Sequence, residues 1–211
     1  AAEGSALGFS YDGQWMRSVR HGTGKSTYYA DGSCYDGEWV AGRRHGVGRL
    51  ENASGDVWEG GFEADALVGR GKLVYADGRT FVGTVVVTDD APEGGVPHGF
   101  GTMVEFDGET YEGEFVMGDR DGAGKLTHTN GDVFEGTFKR GMRHGPGVQR
   151  TRGGTTYEGE WVDDALEGQV VVVEGALLAA HQQDGRVMGT VRSDGQLSLA
   201  HTFANGDVYE G

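Results

Sequence analysis

The chain has 211 residues, of which 41 are glycine and three are proline, with a formal net charge of -15. Glycine at nearly one position in five, with no every-third-residue period and with 10% aromatic residues, excludes both a collagen rod and a disordered tail and points to periodic structural use. The acidic balance disfavours nucleic acid or anionic lipid as a partner of the whole surface, and a lone cysteine, Cys34, excludes an internal disulfide framework and fits a reducing, cytoplasmic compartment.

Residues 1–10 read as the tail of a preceding repeat, because Gly8 stands three residues before Tyr11, as a glycine does before most later starts. From Tyr11 the pattern aromatic-x-Gly-x-aromatic recurs, as YDGQW at Tyr11, YDGEW at Tyr35, WEGGF at Trp58, YEGEF at Tyr111, FEGTF at Phe134 and YEGEW at Tyr157. Weaker copies are FVGTV at Phe81 and VMGTV at Val187, and YEG restarts at Tyr209. Successive starts lie 24, 23, 23, 30, 23, 23, 30 and 22 residues apart. A period of this size marks a repeat array. The first long spacing carries Pro92, Gly94, Gly95 and Pro97, so residues 86–97 are expected to form an enlarged loop. Regular repeats therefore span 11–169, degenerate ones 170–208, and residues 209–211 read as the start of a further repeat. The chain is expected to be an excerpt from a longer array.

Ten residues after each ordinary start comes a second signature: HGTG at His21, HGVG at His45, VGRG at Val68, DGAG at Asp121 and HGPG at His144, with HGFG at His98 after the insertion. A third is the pre-strand glycine: Gly32, Gly55, Gly78, Gly108, Gly131, Gly154 and Gly206. In an extended YEGEW the first, third and fifth residues share one face, ring-glycine-ring, and the other face is acidic. KSTYYA from Lys25 alternates in the same manner and reads as the returning strand. Each repeat is thus one hairpin turning at the HGxG signature, and both this turn and the pre-strand glycine call for positive φ. A strand glycine lets a neighbouring ring lie over bare backbone. Stacked hairpins predict an all-β fold: an elongated, single-layer antiparallel sheet, solenoid-like, stabilised between neighbours.

Three signatures recurring in phase resemble the MORN repeat (membrane occupation and recognition nexus), whose pattern is close to YEGEWxxGxxHGxGxxxxxDG. The resemblance covers residues 11–169 well, weakens across 170–208 and resumes at 209. It implies a single layer of hairpins with an aromatic-lined groove, and a scaffold of the cytoskeleton, cilium, flagellum or cell cortex that grips a partner's helix or peptide. Two alternatives are a phosphoinositide- or membrane-associated module and the regulatory region of a larger enzyme. The repeat carries no catalytic residues, and no cofactor is implied.

The expected partner-binding residues are the ring row Tyr11, Trp15, Tyr35, Trp39, Trp58, Phe62, Tyr111, Phe115, Phe134, Phe138, Tyr157 and Trp161. The alternative is that these rings pack on one another as the sheet's core; as a row, however, they leave an apolar stripe that one layer does not cover. Basic residues gather at the hairpin turns, among them Arg17, Arg20, Arg43, Arg44 and Arg120, and Lys139, Arg140, Arg143, Arg150 and Arg152 are candidates for an acidic lipid or an acidic partner. His21, His45, His98 and His144 occupy equivalent positions at least one repeat apart, a spacing that suits turn capping. Zinc shared between two chains by His21, His45 and Cys34 is the minor alternative. GTGKS at Gly22 has Val19 where a phosphate-binding loop needs glycine, and is ordinary repeat text. Open strand edges invite pairing with a second copy, as a homodimer or polymer.

Overall fold

The computed structural model describes residues 8–88, 91–173, 186–191, 197–202 and 208–210. Among them every regular element is a β-strand: β1 (Phe9–Met16), β2 (Val19–Tyr28), β3 (Cys34–Val40), β4 (Arg43–Glu51), β5 (Val57–Glu63), β6 (Ala66–Val74), β7 (Thr80–Thr88), β8 (Ala91–Val104), β9 (Thr110–Val116), β10 (Asp119–Thr127), β11 (Val133–Lys139), β12 (Met142–Arg150), β13 (Thr156–Val162), β14 (Ala165–Val173), β15 (Arg186–Val191), β16 (Leu197–Thr202) and β17 (Val208–Glu210). Two compact units divide the chain, Ala1–Phe106 with Phe115–Gly118, and Asp107–Glu114 with Asp119–Gly211. Within the first, strands β1 to β8 each pair antiparallel with the next in sequence. Within the second, β9 pairs with β10, and the succession continues antiparallel to β17.

The hairpin turns are not where the glycines suggested. They are two-residue loops with both residues at positive φ, such as Ala41 (51°) and Gly42 (84°), or Arg140 (51°) and Gly141 (86°). Such loops carry the twist that antiparallel strands require. Asp163 (48°) and Asp164 (71°) do the same without glycine. The HGxG signature lies inside the returning strand, where it forms a bulge: Gly37 faces Gly48, but the next residue, Glu38, faces His45, so Gly46 and Val47 are extra. Gly46 takes φ 60° there, and the Glu38 carboxylate accepts the Val47 N–H at 3.0 Å. Gln14 does the same for Thr23 at 3.2 Å. The pre-strand glycines, from Gly8 to Gly154, do take positive φ; Gly206 lies outside the described residues.

Residues 86–97 also depart from expectation. The insertion lengthens the β7–β8 hairpin, with Val85 opposite Pro97, Val86 opposite Val96 and Thr88 opposite Ala91. The β-branched run Thr84–Thr88 suits a pleated strand and outweighs the loop signal of the prolines and glycines. The extra residues of β8 are absorbed in a bulge that contains Gly95, at φ 63°.

Successive hairpins are tied at both ends. At the turn end the second loop residue donates its N–H to a carbonyl of the preceding hairpin: Gly42 to Arg20, Asp65 to Arg44, Gly141 to Arg120 and Asp164 to Arg143, at 2.9–3.0 Å. At the opposite end Asp56 accepts the Ala76 N–H at 2.9 Å and Asp132 the Arg152 N–H at 2.7 Å. Nearest-neighbour ties of this kind are how a repeat array holds together.

Candidate functional site

The alternation read from YEGEW is present: in β3, Tyr35 and Trp39 are buried while Asp36 and Glu38 between them are exposed. The glycine between the rings is required by contact. A Cβ at Gly37 would lie 2.5 Å from the Tyr35 hydroxyl, and one at Gly48, across the strand pair, 2.4 Å from the same atom. Except at Tyr157, where Val170 faces Gly159, each first ring therefore lies over a cross-strand pair of glycines. Its hydroxyl reaches the bulge, where Tyr35 donates to the carbonyls of Glu38 (3.0 Å) and His45 (3.2 Å). Tyr11 and Tyr111 make the matching bonds to Gln14 and Glu114. Burial pushes the phenol pKa of Tyr35 and of Tyr111 up to about 12, against the lowering pull of Arg44 and Arg120.

Ring packs on ring, edge to face, within a repeat and into the next. Tyr35 meets Trp39 at 5.1 Å and Phe62 at 4.9 Å between centroids. Tyr11 meets Trp15 and Trp39, Phe81 meets Phe115, Tyr111 meets Phe138, and Phe134 meets Phe138 and Trp161. The perpendicular arrangement sets each ring's positive edge against the next ring's negative face. Tyr35, Trp39, Trp58, Phe62, Tyr111, Phe115, Phe134 and Phe138 are at most 3% exposed, Tyr11 and Trp161 are buried at 8% and 6%, and Trp15 is 50% exposed. Tyr157 is half-buried.

The cover over this row is the feature that sequence reading placed elsewhere. Sequence position groups Arg20, Arg44, Arg120 and Arg143 with the turns, yet each guanidinium lies over rings: Arg20 over Trp39 (4.0 Å) and Phe9 (4.9 Å), Arg44 over Phe62 and Tyr35, Arg120 over Tyr111, and Arg143 over Trp161 (4.2 Å) and Phe134. A guanidinium over a ring face is attracted by its quadrupole. The next hairpin's turn holds Arg20, Arg44 and Arg143 in place, while Arg120 pairs with Glu109 at 3.0 Å. Asp65 accepts from the Arg44 backbone N–H at 2.9 Å and from its Nε at 3.3 Å, and Asp164 does both for Arg143 at 3.0 Å. Arg20 Nη2 donates to Gly42 O at 2.9 Å. The sequence shows the recurrence, an arginine nine residues after Tyr11, Tyr35, Tyr111 and Phe134, but not its place over the rings. In the hairpins starting at Trp58 and Tyr157 that position is Leu67 or Leu166.

The five basic residues considered for an acidic lipid do not converge. Lys139 pairs with Met142 and Phe138 with Arg143 at the turn end of the β11–β12 hairpin, whereas Arg150 faces Val133 at the other end, seven residues and roughly 23 Å along the strand. Arg143 is committed to the rings, and Arg150 binds Glu135 at 2.7 Å. Arg140 and Arg152 donate their backbone N–H groups to Asp121 and Asp132. Among the histidines, His98 Nδ1 accepts the Met117 N–H at 3.5 Å and His144 Nδ1 lies 3.3 Å from Asp163. Cys34 Sγ accepts from Thr27 Oγ1 at 3.9 Å. Among the described residues no three metal-binding side chains stand together, and no helix is long and apolar enough to cross a membrane.

Comparison with known proteins gives one family. A family model described as MORN repeat matches residues 11–33, 35–57, 58–78, 93–109, 111–133, 134–156 and 157–169. No curated protein matches. Solved structures similar to this chain include the Drosophila melanogaster SAS-4 (dCPAP) TCP domain, solved in complex with a proline-rich motif of Ana2 (dSTIL); it is 14% identical, covers 84% of this chain and 83% of its own, and has a TM-score of 0.42. The TCP10 domain of Danio rerio CPAP, in complex with a peptide of Danio rerio STIL, is 14% identical over 96% of this chain and 99% of its own, with a TM-score of 0.39. Likeness at that level says nothing about what this chain binds.

Proposed function

The chain belongs to the MORN-repeat family, and from that premise we propose that it is a non-catalytic protein–protein interaction scaffold that receives a partner helix or extended peptide along its ring-bearing face. The observation that carries the proposal is the placing of the Arg20, Arg44, Arg120 and Arg143 guanidinium groups over packed rings. Arginine on aromatic is the composition that concentrates binding energy at protein interfaces, and a guanidinium is suited to recognising a partner's carboxylates. Trp15, half exposed, offers the same row an open ring. Family membership supports a cytoskeletal setting, at a cilium, flagellum or the cell cortex. Open strand edges support association with a second copy.

The test must spare the core. Trp39→Ala with Phe62→Ala, a natural choice from sequence, removes two rings that are 1% and 2% exposed and would unfold the hairpins rather than probe a surface. Arg20→Ala with Arg44→Ala strips the cover and keeps the bed. A pull-down from native extract should yield proteins that the unchanged chain retains and this variant loses, whereas Lys25→Ala with Arg49→Ala, on the opposite face, retains them. Equal capture by both variants and the unchanged chain would refute the proposal.

A further inference from the structure

On the face away from the rings, charges alternate from strand to strand. Asp12 faces Lys25, Lys25 faces Asp36, Asp36 faces Arg49, Arg49 faces Glu59 and Glu59 faces Lys72. Each acid after Asp12 has a base on either side, and opposite charges placed directly across a strand pair stabilise a sheet. The hairpin β13–β14 breaks this rule. Glu158 faces Val148 on one side and Val171 on the other. Two residues along, Glu160 faces Glu167. These two carboxylates are directly opposed with about 5 Å between their Cβ atoms, an arrangement that costs stability. From residue 153 to 185 the sequence has seven acidic residues and no lysine or arginine. Asp164 and Asp163 are engaged by Arg143 and His144. Glu158, Glu160 and Glu167 stand exposed.

The same substitutions shape the surface. With valine at the position that Lys25, Arg49, Lys72 and Lys125 hold in four other repeats, Pro146, Val148 and Val171 line a concavity of about 510 Å³ together with Glu135, Glu158 and Glu160. Glu135 is already neutralised by Arg150 and Lys125, which hold its carboxyl below the ordinary range. The remaining acids are unbalanced.

We infer that this trough is a docking site for a basic extended segment of a partner protein, with lysine or arginine at alternate positions. Glu158 and Glu160 lie two residues apart on one strand, roughly 7 Å, which is the spacing of alternate side chains in an extended peptide. The aliphatic stems of those bases would cover Val148 and Val171 while their charged heads reach the carboxylates. The site is separate from the ring face and stands whether or not that face binds a partner.

Fluorescence anisotropy of a labelled alternating lysine–valine octapeptide, titrated with the full chain, tests the assignment. Binding by the unchanged chain is expected. E158Q/E160Q/E167Q should weaken it by about tenfold or more, as should V148K/V171K, which restores the bases of the other repeats. Glu59→Gln, in the balanced ladder, should stay within about twofold. The Glu→Gln changes are exposed, and the β-sheet circular dichroism of each variant verifies its fold. The inference falls if the octapeptide does not bind, if the triple glutamine variant binds like the unchanged chain, or if Glu59→Gln costs as much, which would make the attraction one of net charge. It falls also if calcium alone displaces the peptide at stoichiometric concentration, since the trough would then be a cation site.

Discussion

Hairpins β3–β4 and β13–β14 are two renderings of one text, YDGEW followed by RRHGVGR and YEGEW followed by ALEGQVV. The first lays Tyr35 flat over Gly37 and Gly48, roofs it with Arg44 and balances its outer acids with Arg49. The second keeps the strand pair and the bulge, but Val170 stands where Gly48 would, Leu166 replaces the arginine and Val171 replaces the outer base. Tyr157 is consequently half-buried, whereas Tyr35 is fully covered. The contrast shows that backbone pairing and the bulge survive loss of the glycine pair beneath the first ring and of the outer base.

The comparison can be broken hardest at the first ring. Tyr35→Ala empties a fully packed site and should cost about 4 kcal/mol of unfolding free energy, while Tyr157→Ala should cost roughly half as much. Urea unfolding of the two variants checks this; equal losses would mean that the cover over Tyr35 adds nothing. The paired glycines come next. Gly37→Ala sets a Cβ 2.5 Å from the Tyr35 hydroxyl and 2.6 Å from Gly48 Cα, whereas at Gly159 the nearest atom is Leu166 Cδ1 at 3.0 Å. Overpacking should therefore cost about 3 kcal/mol at Gly37 and about 1 kcal/mol at Gly159, by the same measurement.

The mildest probe is alkali. The Tyr35 phenol titrates at about 12 when folded, raised by burial from an ordinary value of 10.0. A raised folded pKa contributes stability that is full below the unfolded value and is lost as pH climbs through the folded one. Thermal stability should decline between pH 10 and about 12, in step with tyrosinate absorbance. Tyr35→Phe should remove that share of the decline while keeping the ring.

Legibility in the sequence followed the reach of each interaction. The repeat period, the strands, the shared face of the rings and the need for bare backbone beneath them all arise between residues a few positions apart, in a pattern repeated often enough to read. The hairpin turn was misplaced because the glycines of HGxG look like a turn, while the true loops include pairs such as Ala64–Asp65 and Asp163–Asp164 with no glycine at all. From sequence the insertion looks like a loop because Pro92 and Pro97 mask the valines that pair across it.

By itself, then, the sequence determined an all-β array of antiparallel hairpins and which residues share a face, since both follow from alternation along an extended chain. Tertiary structure alone decided that Arg20, Arg44, Arg120 and Arg143 lie over rings, that the five candidate bases of β11–β12 and its flanks separate to opposite ends, and that Glu160 meets Glu167. Each of these depends on which residue stands across a strand pair, and that register is set by two-residue bulges and loops whose positions alternation does not reveal.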